Sequence, residues 1–464
     1  MINLTKYTGA KVGVFGLARS GLESIKALLK AGVIIYAWDD DKDKIITAKN
    51  IIQNKNITFS DIIDPVDVKR LDFALVSPGV PHKFPKPHNI FKHCQHYNIP
   101  IRGDVDLLFE ACPDARYIGV TGTNGKSTTV SLIQHILVSN NHQSVLGGNI
   151  GIPALSLPNL NKPSASYVLE LSSYQLELLN NVRFDIAVLL GITPDHLDRY
   201  ESFEEYKRAK LKIFQNQEAS NFAIISTDTD TNKDIYRVLN KNRLQKLIPI
   251  SSHTILSNGI SIIENKLYDN YFAHDVLSLS LPQSLIGQHN AENVAAAYTT
   301  AKILKLDARE ILQAISSFKG LPHRMEVVGQ KGNLIFINDS KATNIAATSS
   351  ALDSYEKIYW IAGGIFKEKD IFDLSNNLKN VKHCYLVGRD AREFIPLMQK
   401  FSLPYTLSES IENALKQIKE TVHEGTVLLS PACASFDQWK NFEERGNAFK
   451  ELVNKYFKLH CCKQ

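Results

Sequence analysis

One local pattern constrains the fold of this chain more than any other feature: a strand, a glycine-rich turn and a helix in direct succession. The apolar run 117–120 leads into residues 122–128, which read Gly-Thr-Asn-Gly-Lys-Ser-Thr, and helix-periodic apolar positions follow at 130–138. Such a turn exposes backbone N–H groups at the helix start, where unpaired donors and the helix dipole favour a polyphosphate. The pattern predicts an α/β domain with a phosphate-binding loop.

This loop also carries side chains that suit a nucleotide. Lys126 would contact the β- and γ-phosphates, and the Ser127 hydroxyl would bind Mg²⁺. Loops of this kind usually have an earlier glycine at the position that Val120 occupies here. The alternative is therefore a glycine-rich turn that carries Lys-Ser by chance. The order of the elements favours a protein that binds or spends ATP.

Length and composition bound the class of protein. A chain of 464 residues is expected to form two or three domains. No apolar run approaches the roughly 20 residues that span a bilayer, and the polar start does not resemble a signal peptide, so we expect a cytoplasmic protein without membrane insertion. The net charge of +5 is small and the basic residues are not clustered, which disfavours nucleic acid as a partner. The six cysteines lack metal-ligand spacing and are interpreted as reduced thiols.

The chain is predicted to form three α/β domains, with boundaries at 1–105, 106–320 and 321–464. In the first, strand-like runs at 11–15, 33–38 and 73–77 alternate with helical stretches, which is typical of a parallel sheet. The turn Gly16-x-Ala18-x-x-Gly21 opens a helix, and Asp39 ends the next strand. Because Ala18 stands where a dinucleotide fold has its middle glycine, nucleotide binding and a plain packing turn both remain open.

Candidate chemical groups follow strands of the second domain. Glu170 ends an apolar strand and is either a Mg²⁺ ligand or an acid that stabilises a helix start. His196 follows the strand at 186–190 and could bind a second cation, although a lone histidine is often structural. Asp198 and Arg199 are predicted to form a local ion pair, and Lys210 is interpreted from the residues alone as a solvated surface lysine.

Polar loops follow three strands of the third domain. They are Asp339 to Asn344, Gly363-Gly364-x-x-Lys367, and Ser430 to Ser435. Helix N-termini at such loops can bind anions, so three of them suggest a small substrate with two acidic groups; ordinary helix capping is the alternative. Residues 318–324 form a Gly/Pro break that is interpreted as a hinge, and Arg324 lies at its end. Arg324 could reach a γ-phosphate, or it could have a structural role.

These segments together resemble the ATP-dependent muramyl-peptide ligases, the Mur ligases, over almost the whole chain. The loop 121–127, Glu170, His196, the Asn290 and Asn293 pair, Arg324 and Asp339 match in order the functional positions that these ligases share with folylpolyglutamate synthetases. Residues 339–344 and 430–446 resemble the D-glutamate-adding branch.

The resemblance implies both a fold and a reaction. The expected fold has a Rossmann-like N-terminal domain that binds a UDP-sugar, a central P-loop-type ATPase domain, and a Rossmann-like C-terminal domain that binds the amino acid. The expected reaction joins D-glutamate to UDP-N-acetylmuramoyl-L-alanine through an acyl phosphate, forming ADP and phosphate in peptidoglycan precursor synthesis. ATP and two Mg²⁺ ions are the implied cofactors, and we expect a monomer.

The resemblance also implies roles for individual residues. Catalytic roles fall to Lys126, Glu170, His196, Lys210, Arg324 and Lys341. ATP would be bound by Gly122, Thr123, Asn124, Gly125, Lys126, Ser127, Thr128, Asn290, Asn293, Arg324 and Asp339. Metal ligands would be Ser127, Glu170, His196 and Lys210, the last as a carbamate formed with CO₂. The UDP-sugar would be bound by Arg19, Ser20, Asp39 and Asn149, and D-glutamate by Thr343, Lys367, Ser435 and Phe442.

The sequence departs from the family pattern at two places. Gly363-Gly364 is followed by Ile365-Phe366 instead of Asp-Gly, and three acids, 39–41, crowd the predicted uracil site. The rival enzymes are a folylpolyglutamate synthetase and a sister ligase that adds another amino acid. A nucleotide-dependent switch is a rival of another class, but the chain has no Asn-Lys-x-Asp motif.

Overall fold

The computed structural model describes residues 2–196, 198–242, 244–366 and 371–458. The chain divides into two compact units: Met1–Leu279 with Ala291–Ile315, and Ser280–Asn290 with Ser316–Gln464. In the described residues the first unit holds two β-sheets and the second unit holds one. The sheets are largely parallel and alternate with helices, which confirms the predicted α/β class.

The first sheet has five parallel strands in the order β3-β2-β1-β4-β5. Its strands are β1 Lys11–Phe15, β2 Ile34–Trp38, β3 Ile57–Ser60, β4 Phe73–Val76 and β5 Ile101–Arg102. Its helices are α1 Arg19–Lys30, α2 Lys42–Ile51, α3 Pro65–Lys69, α4 Asn89–His96 and α5 Asp104–Ala111. Strand β4 is buried along its whole length, as expected for a parallel sheet covered on both faces. The neighbours β1 and β4 mark the point where the strand order reverses.

The second sheet has nine strands in the order β14-β13-β12-β11-β10-β9-β6-β8-β7. They are β6 Arg116–Thr121, β7 Ser144–Gly148, β8 Ser166–Glu170, β9 Ile186–Leu189, β10 Phe222–Ser226, β11 Lys246–Ser251, β12 Ile260–Ile263, β13 Lys266–Asp269 and β14 Asp275–Ser278. The helices that follow or separate them are α6 Lys126–Ser139, α7 Ser173–Leu178, α8 Phe203–Leu211, α9 Asp230–Asn242, α10 Gln288–Ile303 and α11 Ala308–Ser316. The central strand β6 pairs in parallel with β8 and β9, so the loops that follow these three strands begin at the same edge of the sheet.

The third sheet has six strands in the order β15-β16-β20-β17-β18-β19. They are β15 Glu326–Lys331, β16 Asn333–Asn338, β17 Ile358–Gly363, β18 Val381–Val387, β19 Tyr405–Glu409 and β20 Glu424–Leu429. The helices are α12 Ile345–Asp353, α13 Ile395–Lys400, α14 Ile411–Thr421 and α15 Phe442–Phe457. Short 3₁₀ segments occur along the chain at Thr5–Tyr7, Ala154–Ser156, Lys212–Phe214, Gln283–Leu285, Ile371–Asn380 and Ala391–Phe394.

The first two sheets share one hydrophobic core. Val14 and Leu28 of the first sheet region belong to the same buried cluster as Tyr117 and Leu155 of the second. The side chain of Ser156 also donates a hydrogen bond to Glu23 on α1 at 2.7 Å. Burying one such large apolar side chain contributes about 1.5–3 kcal/mol, so the shared cluster holds these two sheets together as one unit.

The polar stretch 227–280 contains more structure than the sequence suggested. Strands β12, β13 and β14 lie there as an antiparallel extension of the sheet. Strand β12 is mostly buried, whereas β14 at the edge of the sheet is mostly exposed, as one side of an antiparallel edge can be solvated. Within the described ranges, no helix has both the length and the apolar character that a bilayer crossing requires.

Candidate active site

The predicted phosphate-binding loop lies between β6 and α6, in the strand, turn and helix arrangement that the sequence predicted. Gly125 caps the helix in the left-handed region with φ of +80°, a conformation that a side chain disfavours. A Cβ on Gly125 would lie 2.4 Å from Oδ1 of Asn293. The same Asn293 oxygen accepts a hydrogen bond from the Thr129 hydroxyl at 3.0 Å. Asn293 on α10 is thereby packed directly against the loop.

Lys126 folds back over its own loop. Its Nζ donates hydrogen bonds to the carbonyl oxygens of Gly122 at 3.0 Å and Thr123 at 2.7 Å. Thr123 is tied in turn to the end of β9, because its N–H donates to the Gly191 oxygen at 2.9 Å. The Thr123 hydroxyl also lies 3.2 Å from the hydroxyl of Tyr206. The loop is therefore held in a defined shape from both sides.

Glu170 lies at the end of β8, beside the loop. The carboxylate is buried, and Oε1 accepts a hydrogen bond from Nδ2 of Asn149 at 2.8 Å. The other oxygen, Oε2, is buried without a hydrogen-bond partner. An orphaned buried carboxylate oxygen is costly unless a cation approaches it, so this position fits a hard divalent cation. Among the described residues, no three His, Cys, Asp or Glu side chains gather as a metal cluster, so phosphate and hydroxyl oxygens would have to complete the ligand set.

Lys210 is not a surface residue, and the interpretation made from the residues alone was wrong. Its side chain on α8 is only 1% exposed, and Nζ donates to the Gly122 oxygen at 2.7 Å. The ammonium group also lies 4.6 Å from the ring centre of Tyr206. Burial, and then the nearby charge of Lys126, lower the pKa of Lys210 well below its usual value. A larger fraction of the amine is therefore neutral and nucleophilic.

His196 lies in the loop after β9 with a left-handed backbone, φ of +55°. Its ring centre is 5.2 Å from that of Tyr174 and 6.1 Å from that of Tyr206. Burial lowers the pKa of His196, which favours the neutral imidazole that can bind a metal. The predicted ion pair between Asp198 and Arg199 was wrong, because Nη1 of Arg199 donates to the Gly79 oxygen at 2.7 Å and its guanidinium covers the Tyr174 ring.

The loops after β1 and β4 meet where the order of the first sheet reverses. The Ser77 hydroxyl donates to the Gly16 oxygen at 2.8 Å. A Cβ on Gly21 would lie 1.9 Å from that same oxygen, so the close approach requires glycine. Ligands of open α/β sheets bind at such reversal points, so this edge is a candidate nucleotide site.

Among the residues predicted to bind the UDP-sugar, Arg19 is exposed and Ser20 donates from its hydroxyl to Asp104 at 2.9 Å. Asp39 is buried and accepts the backbone N–H groups of Leu17 at 2.6 Å and Asp41 at 2.9 Å. Asp39 therefore shapes the loop from β1 through the backbone of Leu17.

In the second unit, the loops that follow β16, β20 and β17 begin at the same edge of the third sheet. Asp339 is buried, and its carboxyl oxygens accept hydrogen bonds from the Met325 N–H at 3.2 Å and the Ser430 hydroxyl at 2.9 Å. Burial raises the pKa of Asp339 to about 7, while Ser430, Met325 and the charge of Arg324 act in the opposite direction. Asp339 thus joins the chain near Arg324 to the loop that begins at Ser430.

Replacing Asp339 with asparagine should flatten the dependence of stability on pH. Since the folded-state pKa is raised from 3.8 to about 7, the folded protein retains a proton that the unfolded chain releases within this interval. The wild type should therefore lose stability as the pH rises from about 4 to about 7, by about 4 kcal/mol at most. Asp339→Asn does not titrate. Urea unfolding followed by the fluorescence of Trp360 and Trp439 measures the difference, and parallel pH profiles for the two proteins would contradict the prediction.

The residues predicted to bind D-glutamate lie on these same loops. Ser435 is buried, Thr343 follows Lys341 and donates from its N–H to the Lys341 oxygen at 2.8 Å, and Phe442 begins α15. Nζ of Lys341 lies 5.4 Å from the ring centre of Phe442. Lys367 lies outside the described residues. Asn290 is in the first turn of α10 and donates from Nδ2 to the Ile286 oxygen at 3.0 Å.

Sequence reasoning assigned no role to Arg445 or to Tyr206, although each contacts residues of a predicted site. Arg445 is 1% exposed. Its guanidinium donates hydrogen bonds of 2.7–3.0 Å to the Ser340 hydroxyl and to the backbone carbonyl oxygens of Ser340 and Cys433. It therefore joins the loop after β16 to the loop after β20. Tyr206 is the other, since it contacts both Thr123 and Lys210. The helical spacing of Phe442, Arg445 and Phe449 was a usable signal for Arg445.

Two protein-family models match the chain: the Mur ligase middle domain over residues 120–301, and the Mur ligase glutamate ligase domain over residues 323–433. The UDP-N-acetylmuramoylalanine–D-glutamate ligase of Rickettsia prowazekii is 39% identical, over 98% of this chain and 100% of its own length. The chain belongs to the Mur ligase family. The ligase of the same name from Rickettsia bellii is 40% identical to this Mur ligase, over 97% of this chain and 99% of its own length. The one from Rhodospirillum rubrum is 38% identical, over 98% of this chain and 96% of its own length.

Solved structures show that this Mur ligase shares its fold with proteins of much lower identity. The UDP-N-acetylmuramate-alanine ligase MurC of Thermotoga maritima is 17% identical with a TM-score of 0.58, over 96% of this chain and 99% of its own. MurF ligase from the same organism, solved in complex with ADP, is 16% identical with a TM-score of 0.58, over 99% of this chain and 97% of its own. The predicted resemblance to the family is confirmed.

Proposed function

We propose that this Mur ligase joins D-glutamate to UDP-N-acetylmuramoyl-L-alanine at the expense of ATP, in the synthesis of peptidoglycan precursors. The observation that carries the proposal is the identity of 38–40%, over nearly the full length, with ligases named for this reaction. Sister Mur ligases share the fold at only 16–17% identity, so the D-glutamate-adding branch is favoured over them.

The reaction proceeds in two steps. The substrate carboxylate attacks the γ-phosphorus of ATP, the bond to the β-phosphate oxygen breaks, and an acyl phosphate and ADP form. The amine of D-glutamate then attacks the acyl carbon, loses a proton, and displaces phosphate through a tetrahedral intermediate. Both steps bring negative charges together, so fixed cations and N–H donors lower the barrier. Lys126 and the backbone at residues 122–128 supply them on the first unit.

Two Mg²⁺ ions are part of the proposal. Glu170, with its orphaned Oε2, and Ser127 at the start of α6 would hold one ion. His196, in its neutral form, would hold the other with a carbamate on Lys210. When bound, Mg²⁺ supplies positive charge that offsets the phosphate oxygens.

The carbamate is supported by the surroundings of Lys210. A neutral amine attacks the carbon of CO₂, and the product loses a proton to give a carbamate. The burial and lowered pKa of Lys210 favour the neutral amine that this addition needs. The carbamate would place an anion beside the cation of Lys126, where a protonated Lys210 would be repelled.

The remaining assignments rest on the resemblance to the family. They are three domains at 1–105, 106–320 and 321–464; UDP-sugar binding by Arg19, Ser20, Asp39 and Asn149; ATP binding by Asn290, Asn293, Arg324 and Asp339; a phosphate contact for Lys341; and D-glutamate binding by Thr343, Lys367, Ser435 and Phe442. The three separate sheets support the domain division. We also propose a cytoplasmic monomer.

ADP release in the presence of UDP-N-acetylmuramoyl-L-alanine and Mg²⁺ tests the function. D-glutamate, L-glutamate, L-alanine and L-lysine are added in turn. We expect turnover with D-glutamate alone, and a ligated product whose mass contains both substrates. Turnover with another amino acid would keep the family but contradict the branch, and ADP release that ignores every amino acid would favour a hydrolysing switch.

A further inference from the structure

The first unit contains a second groove, apart from the phosphate-binding loop. Its volume is about 670 Å³, within the range of small-molecule sites. One wall is formed by α4 and the segment before it, and the other by α7 and the 3₁₀ segment Lys212–Phe214. The groove therefore lies between the first and second sheets. We call it the lysine groove, because Lys83, Lys92 and Lys212 line it.

The charges in the lysine groove are not balanced. In the part of the chain that the structure describes, none of the three lysines forms an ion pair within 4.0 Å. Nζ of Lys212 donates instead to the backbone oxygen of Glu177 at 2.8 Å. The carboxylate of Glu177 receives only a long hydrogen bond, 3.4 Å, from the Tyr200 hydroxyl. The lining thus holds three lysines and one carboxylate, that of Glu177, while Asp106 outside the lining also acts on the charge of Lys212. The lining itself carries an excess of positive charge.

The rest of the lining is apolar and partly aromatic. Phe91 and Leu178 are buried side chains in the wall. The ring of His82 lies 4.5 Å from that of Phe91, and its Nδ1 is buried without a hydrogen-bond partner. Burial lowers the pKa of His82, as do the charges of Lys83 and Lys212. An acidic ligand group would provide both an acceptor and a counter-charge here.

We propose that the lysine groove binds a small organic anion with a flat apolar body and two acidic groups. The apolar body packs on the partly exposed Ile99 and Ile101, and the acidic groups accept hydrogen bonds from Lys83, Lys92 and Lys212. None of the residues predicted to bind ATP, the UDP-sugar or D-glutamate lines this groove. The proposed site is therefore separate from the predicted substrate sites.

Such a ligand has a direct structural connection to the candidate active site. Lys212 follows Lys210 by two residues at the end of α8, and Glu177 lies on α7, which begins three residues after Glu170. A bound anion would contact both elements, together with α4 of the first sheet. The lysine groove is therefore placed to influence the arrangement of the two sheets around Lys210.

Binding of naphthalene-1,5-disulfonate tests the proposal. This dianion has a rigid aromatic body and does not chelate Mg²⁺. Calorimetric titration is done on the full chain with saturating Mg²⁺-ADP and UDP, so that nucleotide sites are blocked. We expect saturable binding that weakens several-fold when NaCl rises from about 50 to about 300 mM, because the attraction is electrostatic. Lys83→Ala/Lys92→Ala should bind at least about tenfold more weakly.

The matched control is Lys49→Ala/Lys69→Ala, which removes the same charge from two exposed lysines of the first sheet region outside the groove. We expect this control to bind the disulfonate within about twofold of the wild type. No binding to the wild type, or equal loss in both double variants, would overturn the proposal. The readout here is binding of the disulfonate and not ligation. A negative result would therefore leave the ligase assignment unaffected, and a failed ligase assay would leave the proposed anion site unaffected.

Discussion

Replacing Lys126 with alanine should reduce ADP formation at least a hundredfold and leave the binding of a uridine nucleotide unchanged. The ammonium group lies within the loop between β6 and α6, where the charge of the transferring phosphate would develop. Removing one such electrostatic group typically costs about 10²–10³ in rate. The first sheet, with its own loops at Gly16 and Ser77, does not depend on this side chain.

The assay pairs ADP release with calorimetric binding of UDP. Lys126→Met keeps the aliphatic part of the side chain and should be as inactive as Lys126→Ala, which separates loss of charge from loss of packing. Lys162→Ala, at an exposed position, is the control for general effects of lysine removal and should retain full activity. Normal ligation by Lys126→Ala would remove the proposed role of this residue.

Replacing Lys210 with alanine should abolish ligation, and a short carboxylate such as formate should restore part of it. The substitution removes a buried side chain next to the Gly122 oxygen, so the space left can admit a small anion. If the functional group at this position is a carbamate, formate supplies the missing carboxylate. Ligase assays over a range of formate concentrations measure the rescue.

Two further measurements make the Lys210 prediction specific. Lys207→Ala, one turn earlier on α8 and paired on the surface with Glu204, should remain active and show no response to formate. Wild-type protein equilibrated with ¹³C-labelled bicarbonate should show a carbamate carbon signal that Lys210→Ala lacks. Full activity of Lys210→Ala, or the absence of both the rescue and the carbon signal, would contradict the carbamate.

The parts of the fold that the sequence predicted are those determined by local patterns. The strand before Gly122 and the helix after Lys126 follow from apolar periodicity and glycine positions within about twenty residues. The loops of the third sheet that start at Asp339 and Ser430 were predicted for the same reason. Parallel strands bring their carboxyl ends to one edge, so the meeting of Asp339 with Ser430 follows from topology.

The failures arose where the environment of a side chain depends on distant segments. The charged neighbours of Lys210 on α8 suggest solvent, but the α8 side that carries Lys210 packs on the loop at Gly122, 88 residues away. Arg199 likewise turned from its sequence neighbour Asp198 towards Gly79, 120 residues away. In both cases local charge pattern was a poor guide, because burial is decided by tertiary packing.

The carbonyl oxygen of Gly122 accepts hydrogen bonds from both Lys126 and Lys210. The positive charge of Lys126 is one of the causes that lower the pKa of Lys210. A polyphosphate that binds Lys126 would cancel much of this charge and make Lys210 easier to protonate. If Lys210 carries the proposed carbamate, its amine would react with CO₂ more readily before the nucleotide binds, and we expect the modification to precede the catalytic cycle.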